Sequence, residues 1–206
     1  MSDELLAHSP PVVFIGYPQA FACYPKFERK VARILSSLTN VSVAFVADPR
    51  NFVHRFSESG QSIIEARLKL DDPEQACRRC THAIIFDGDD SLESLACDLQ
   101  SAGSKVRLVK SHLTTVVNKD KGHEFDLYIG RGSEFGNPYA IGFDGDREEV
   151  IRKFAYDFER DFLRGGAEFK ARLQQYKGKR LGCHCAPAPC HGDILAEYLN
   201  SLDDEL

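Results

Sequence analysis

Three short runs in the first half of the chain most restrict what it can fold into: PVVFIGYP at 11–18, VSVAFVADP at 41–49 and THAIIFDGDD at 81–90. Each is apolar at consecutive positions and rich in β-branched residues, so both of its faces need cover. Only the interior of a parallel sheet with helices on both sides supplies that. Between and after them lie FERKVARILSSL, with Phe27, Val31, Ile34, Leu35 and Leu38 at helical spacing, then SIIEARLKL and SLESLACDLQSAG, which also read as helices. KVRLVK at 105–110 gives a fourth strand. The alternation predicts a doubly wound α/β sheet.

Ligands in such sheets lie beyond the carboxyl ends of the strands, which directs attention to Gly16, Tyr17, Asp48, Asp87, Gly88, Asp89 and Ser91. No G-x-G-x-x-G or Walker loop is present. The terminal Asp-Gly, the Ser-led helix and the strand after it resemble Rossmann-like nucleotide-binding domains of the SLOG superfamily. More distantly they resemble nucleoside deoxyribosyltransferases. The resemblance assigns residues 1–111 to a Rossmann-like domain and leaves 112–206 as a smaller α/β domain.

The seven cysteines fit reduced thiols in a cytoplasmic protein better than a disulfide framework. The acidic N-terminus lacks the regions of a signal peptide, and no apolar run is long enough to span a bilayer. A net charge of −5 disfavours bulk attraction to nucleic acid. Cys77 and Cys80 form a single C-x-x-C that precedes a strand, so a structural role is expected. Cys23 and Cys97 are expected to be small buried hydrophobes.

In the second half, TTVVN and DLYIGR read as strands around a charged turn, and GRGSEFGNPYAIGFDGD as a long irregular loop. DREEVIRKFAYDFERDFL predicts a helix of about five turns with Asp146 as N-cap. Its buried stripe is Val150, Ile151, Phe154, Phe158 and Phe162, and it is broken at Gly165 and Gly166. A helix through LQQY, a strand KRLGCHC and a last helix DILAEYLNSL follow.

GCHCAPAPCHGD at 182–193 leaves four readings open: zinc on Cys183, Cys185, Cys190 and His191, a disulfide, packing, or an anion site with a reactive thiol. In the last, amides at the start of the final helix favour bound phosphate and lower the pKa of Cys190. His191 then acts as acid or base, and Asp193 orients it or caps the helix. Arg131 offers a fork to phosphate or carboxylate, and Gly130, Gly132 and Gly136 permit close backbone approach. Asn137 suits a base edge or ribose hydroxyl. Phe135 and Tyr139 offer ring faces on which a base could stack, although the core reading is favoured for both.

VVNK, DLYIGRGSEFGNPYAIGFDGDREEVI and GKRLGCHCAPAPCHGDILAEYLN closely resemble the domain of unknown function 4326 family of bacteria and phages. The resemblance places Gly130, Arg131, Ser133, Gly136, Asn137, Pro138, Arg147, Cys183, Cys185, Pro187, Cys190, His191 and Asp193 on family motif positions. His184 departs from the tryptophan common there. The corner is also similar to that of a second uncharacterised family, with Cys-His-Arg. Together these readings predict a nucleotide-like or phosphorylated small-molecule ligand between the Arg131–Asn137 loop and the Cys190 helix start. Arg147, Ser133 and Cys185 join the binding set, and Cys190, His191 and Asp193 stand nearest any group transfer or hydrolysis. A non-catalytic zinc module and a nucleotide-signal sensor are the rival expectations. No other cofactor is expected.

Overall fold

A computed structural model describes residues 10–59, 64–88 and 90–203. The chain divides into two compact units, the first ending at Ser111 and taking in Asp203, the second spanning His112–Leu202. Asp89, Ser62 and Ile63, and the acidic N-terminus through residue 9, lie outside the described residues.

The first unit is a five-stranded parallel sheet of order β3-β2-β1-β4-β5. Its strands are β1 (Val12–Gly16), β2 (Val41–Phe45), β3 (Ile64–Lys69), β4 (His82–Phe86) and β5 (Lys105–Val109). The helices are α1 (Tyr24–Leu35), α2 (Phe52–Glu58), α3 (Pro73–Arg79) and α4 (Asp90–Ser101). β1, β2 and β4 are the three apolar runs, and they occupy the centre of the sheet, where both faces are covered. Phe14, Ala44, Ala83 and Ile85 pack with Ala76 of α3 and Leu95 and Leu99 of α4. Elsewhere in the unit, an aromatic cluster joins Phe27 of α1 to Phe52 and Phe56 of α2 and to Phe86, with the Phe27 and Phe86 rings stacked at 5.4 Å.

IEARLK is a strand, not the helix its Glu, Ala, Arg, Leu and Lys suggest. Its residues alternate between half-buried and exposed along the sheet edge, so period-two burial prevails over helix propensity. The helix of that βα step is instead α2, which the sequence reading missed. Cys23 is buried, whereas Cys97 is exposed. Cys77 and Cys80 lie at the end of α3 just before β4, and burial pushes the Cys80 thiol up to about 11.

Most polar groups at the strand ends are spent inside the protein. The Tyr17 hydroxyl donates to Asp48 and accepts from the N–H groups of Arg50 (3.0 Å) and Phe52 (3.2 Å). Asp48 in turn accepts from Val53 and His54 at the start of α2. Burial, with the Asp48 hydrogen bond, raises the Tyr17 pKa. Asp87 accepts from Ser111 N and Oγ at 2.5 and 2.8 Å. These residues brace loops.

The second unit has a three-stranded parallel sheet of order β6-β8-β7, from β6 (Thr115–Asn118), β7 (Leu127–Tyr128) and β8 (Arg180–Cys183). It carries α5 (Arg147–Glu159), α6 (Ala167–Gln174) and α7 (His191–Ser201). The core gathers Ile129, Phe135, Phe154, Phe158, Phe169, Leu173, Leu181, Leu195 and Leu199. Asp146 caps α5, its carboxylate accepting from Glu149 N at 2.8 Å. The helix stops earlier than its apolar stripe suggests. Asp161 adopts a left-handed φ of 57°, and Phe162 N donates to Asp157 O at 2.8 Å, as in a Schellman stop. The backbone leaves the helix before Gly165, and Phe162 is 66% exposed instead of continuing the stripe.

Asn200, buried on α7, accepts from Thr114 N (2.7 Å) and donates to Thr114 O (3.0 Å). Asn200→Ala would leave both backbone groups of a buried residue without a partner. The expected loss is about 2–3 kcal/mol, read as a lower urea midpoint. A shift corresponding to less than about 0.5 kcal/mol would contradict this role.

Candidate functional site

The carboxyl end of β8, the central strand of the second unit, is where the site forms. Strand β8 delivers Cys183, β7 runs into Ile129, Gly130 and Arg131, and α5 begins with Arg147. After β8 the chain turns through residues 184–189, with a cis bond between Ala186 and Pro187, and enters α7 at Cys190. The Asn118 side-chain amide donates to His184 O (3.0 Å) and Ala186 O (2.7 Å) and so holds the turn.

These elements enclose a cleft of about 320 Å³. Of the expected site residues, Gly130, Arg131, Asn137, Arg147, Cys185, Cys190 and His191 line it; Gly132, Ser133, Gly136 and Asp193 do not. Val150, Ile151 and Pro189 line it without having been singled out as ligand contacts, and so does Tyr139, one of the two aromatics considered for base stacking. Tyr139 is half-buried at the cleft, not core, and its hydroxyl donates to Asp157 at 2.5 Å. Phe135 is core, as expected. Asn118 lies in the VVNK segment that carried the family resemblance, but its bracing role was not foreseen, because it depends on a turn 66 residues away.

The glycines serve the loop itself. A Cβ at Gly136 would sit 2.6 Å from the Gly130 carbonyl oxygen, a backbone atom that has no rotamer to escape by. Gly132 turns the chain with φ 88°. Asn137 is also consumed locally: its Nδ2 donates to Val150 O (3.1 Å) and its Oδ1 accepts from Tyr139 N (2.9 Å). Among the described residues, the buried Ser133 hydroxyl has no hydrogen-bond partner. Arg147 donates to Pro189 O at 3.2 Å, which ties α5 to the turn before Cys190. Arg131 is exposed, and among the described residues it has no hydrogen-bond or salt-bridge partner.

At the helix start much of the expected amide cradle is already engaged within the protein. Cys190 is the N-cap: its sulfur accepts from Gly192 N (3.3 Å), while Asp193 Oδ2 accepts from Cys190 N (2.7 Å). This capping box satisfies the Cys190 and Gly192 amides and sets a carboxylate against the positive helix end. Asp193 therefore caps and does not orient His191. The His191 Nε2 lies 2.8 Å from the Ile129 carbonyl oxygen, so an N–H donates there, and the ring packs edge-on against Phe154. Burial lowers its pKa and favours the neutral ring.

The sulfurs of Cys183, Cys185 and Cys190 all lie within 4.8 Å of one another. The thiol held low is Cys183, through hydrogen bonds from the Cys190 thiol and the Cys185 backbone N–H. The same pairing and its burial push Cys190 up, the reverse of the expectation for a helix-start thiol. His184 turns outward, with Nδ1 2.6 Å from Asp120 Oδ2 and Nε2 3.0 Å from the Tyr128 hydroxyl.

Residues 11–117, over half of the chain, match the minimal SLOG domain family. The chain belongs to that family. SLOG membership points to nucleotide-related binding or processing. Residues 115–201, which contain the cleft, match the domain of unknown function DUF4326. The protein is similar to an uncharacterized 12.4 kDa protein from the nrdA-td intergenic region of Enterobacteria phage T4, 47% identical over 91 residues. That match spans 44% of this chain and 81% of the phage protein. No solved structure matches the SLOG–DUF4326 chain. Among its described residues, no helix is long and apolar enough to cross a membrane.

Proposed function

We propose that the DUF4326 cleft binds a nucleotide-like, phosphorylated small molecule, with the phosphate on Arg131 and Arg147 and the remainder directed toward the cysteine corner. The observation that carries this reading is the unpartnered Arg131 guanidinium beside a preformed cleft. A planar fork with five donors suits a phosphate dianion. Arg147 lines the same cleft and, held at one N–H by Pro189, retains others for a ligand. The volume lies at the small end of the range of about 300–1,000 Å³ usual for small-molecule pockets. It therefore favours a mononucleotide over a larger ligand. The SLOG match in the other unit supports a nucleotide as the class of ligand.

In this reading His191 and Asp193 position the corner, and the thiols are the groups closest to any transfer or hydrolysis. Incubating the full chain with a mixture of nucleoside mono-, di- and triphosphates, followed by mass spectrometry of retained and free species, tests it. Retention of a nucleotide is expected, and conversion of that nucleotide would mark an enzyme rather than a sensor. Retention of none of them, with calorimetry of each also flat, would refute the proposal.

A further inference from the structure

The three-cysteine corner has more order than thiol packing requires. Cys183 and Cys190 are buried and Cys185 half-buried, and all three line the cleft. They come from three different local structures: a strand end, a turn and a helix cap. Mutual sulfur distances within 4.8 Å are the spacing at which one ion can be shared. The turn carrying Cys185 is braced on both sides by the Asn118 amide, and the Cys190 sulfur accepts the Gly192 N–H. Bracing of this kind orients ligating side chains around a metal.

Neither His191 nor Asp193 belongs to this cluster: only the three sulfurs all lie within 4.8 Å of one another. Three soft donors remain, facing an open cleft. Zinc sites with three protein ligands and one open position are those that admit water or substrate, whereas structural sites close all four. Sulfur donors select thiophilic ions over calcium or magnesium.

We propose that Cys183, Cys185 and Cys190 hold one divalent ion of the zinc class, with its fourth coordination position open into the cleft. Binding releases the thiol protons to solvent and involves no oxidant or reductant. The ion site rests on the three sulfurs alone; only its contact with a nucleotide rests on the ligand reading above.

The test uses the full chain, purified under anaerobic, reducing conditions with zinc supplied. Native mass spectrometry and elemental analysis are expected to show one zinc per chain, and denaturing mass spectrometry none. Cobalt substituted for zinc is expected to give thiolate-to-metal charge-transfer absorption and the strong visible bands of a four-coordinate ion. Cys190→Ser and Cys185→Ser should each lower metal affinity at least about tenfold, while exposed Cys97→Ser should not. Serine is a good N-cap, so Cys190→Ser retains the helix start, which circular dichroism confirms. Wild-type chain without stoichiometric metal, a disulfide among the three cysteines under these conditions, or unchanged affinity in both variants would overturn the site. Metal content is read without nucleotide and nucleotide binding by titration, so failure of one leaves the other standing.

Discussion

Phe154→Ala is expected to destabilise the second unit by about 3–5 kcal/mol, the usual cost of deleting a buried phenyl ring. Phe154 is 0% exposed and touches both the core and a residue lining the cleft. Its ring stacks on Phe158 at 6.1 Å and packs edge-on against His191 at 5.1 Å. Truncation therefore empties the centre of the core and removes one wall of the imidazole that joins the end of β7 to the start of α7. Domains are stable by about 5–15 kcal/mol in total, so the variant should be markedly more sensitive to urea. Faster hydrogen exchange should be confined to 112–202. A loss below about 1 kcal/mol would mean that the core relaxes around the deletion and that Phe154 is not its centre.

Replacing both Arg131 and Arg147 with Ala is expected to reduce affinity for the retained nucleotide by about two orders of magnitude. A hydrogen bond to a charged group is worth about 1.5–3 kcal/mol, roughly tenfold or more in affinity. Exposure of both arginines argues for the lower end of that range at each position. Arg131→Ala should leave stability unchanged, since among the described residues the side chain has no partner to lose. Arg131→Lys should recover part of the binding, keeping the charge but not the fork. Calorimetric titration separates these outcomes, and a double variant that binds as tightly as the parent would disprove the phosphate assignment.

The readable parts of the fold were those whose cause is local. VVFIG, VSVAF and HAIIF need cover on both faces wherever they occur, and they form the middle of the first sheet. Asp146 caps α5 through a residue three positions away, so its role was visible in the order DREE. IEARLK was misread because its composition favours a helix while its place at a sheet edge favours a strand. The end of α5 was misread because the stop came from a left-handed Asp161 and not from the following glycines.

The cleft was legible in outline. IGR, GNP and the Cys-His corner suggested a joint site, and Gly130, Arg131, Asn137, Arg147, Cys185, Cys190 and His191 do share one cavity. Which of their donors remain available was not legible. Asn137 and His191 both carry suitable chemistry for a ligand, yet Val150 O, Tyr139 N and Ile129 O engage their polar atoms.

By itself the sequence determined the α/β class, the Asp146 cap of α5 and the residue types gathered around the cleft, because propensity, burial period and capping act over a few neighbouring residues. Tertiary structure alone decided that three sulfurs converge, that the Cys190 and Gly192 amides are taken and that Arg131 is left without a partner among the described residues. A polar group is spent or available according to which distant backbone atom folding brings beside it. For His191 that atom is the carbonyl oxygen of Ile129, 62 positions earlier in the chain.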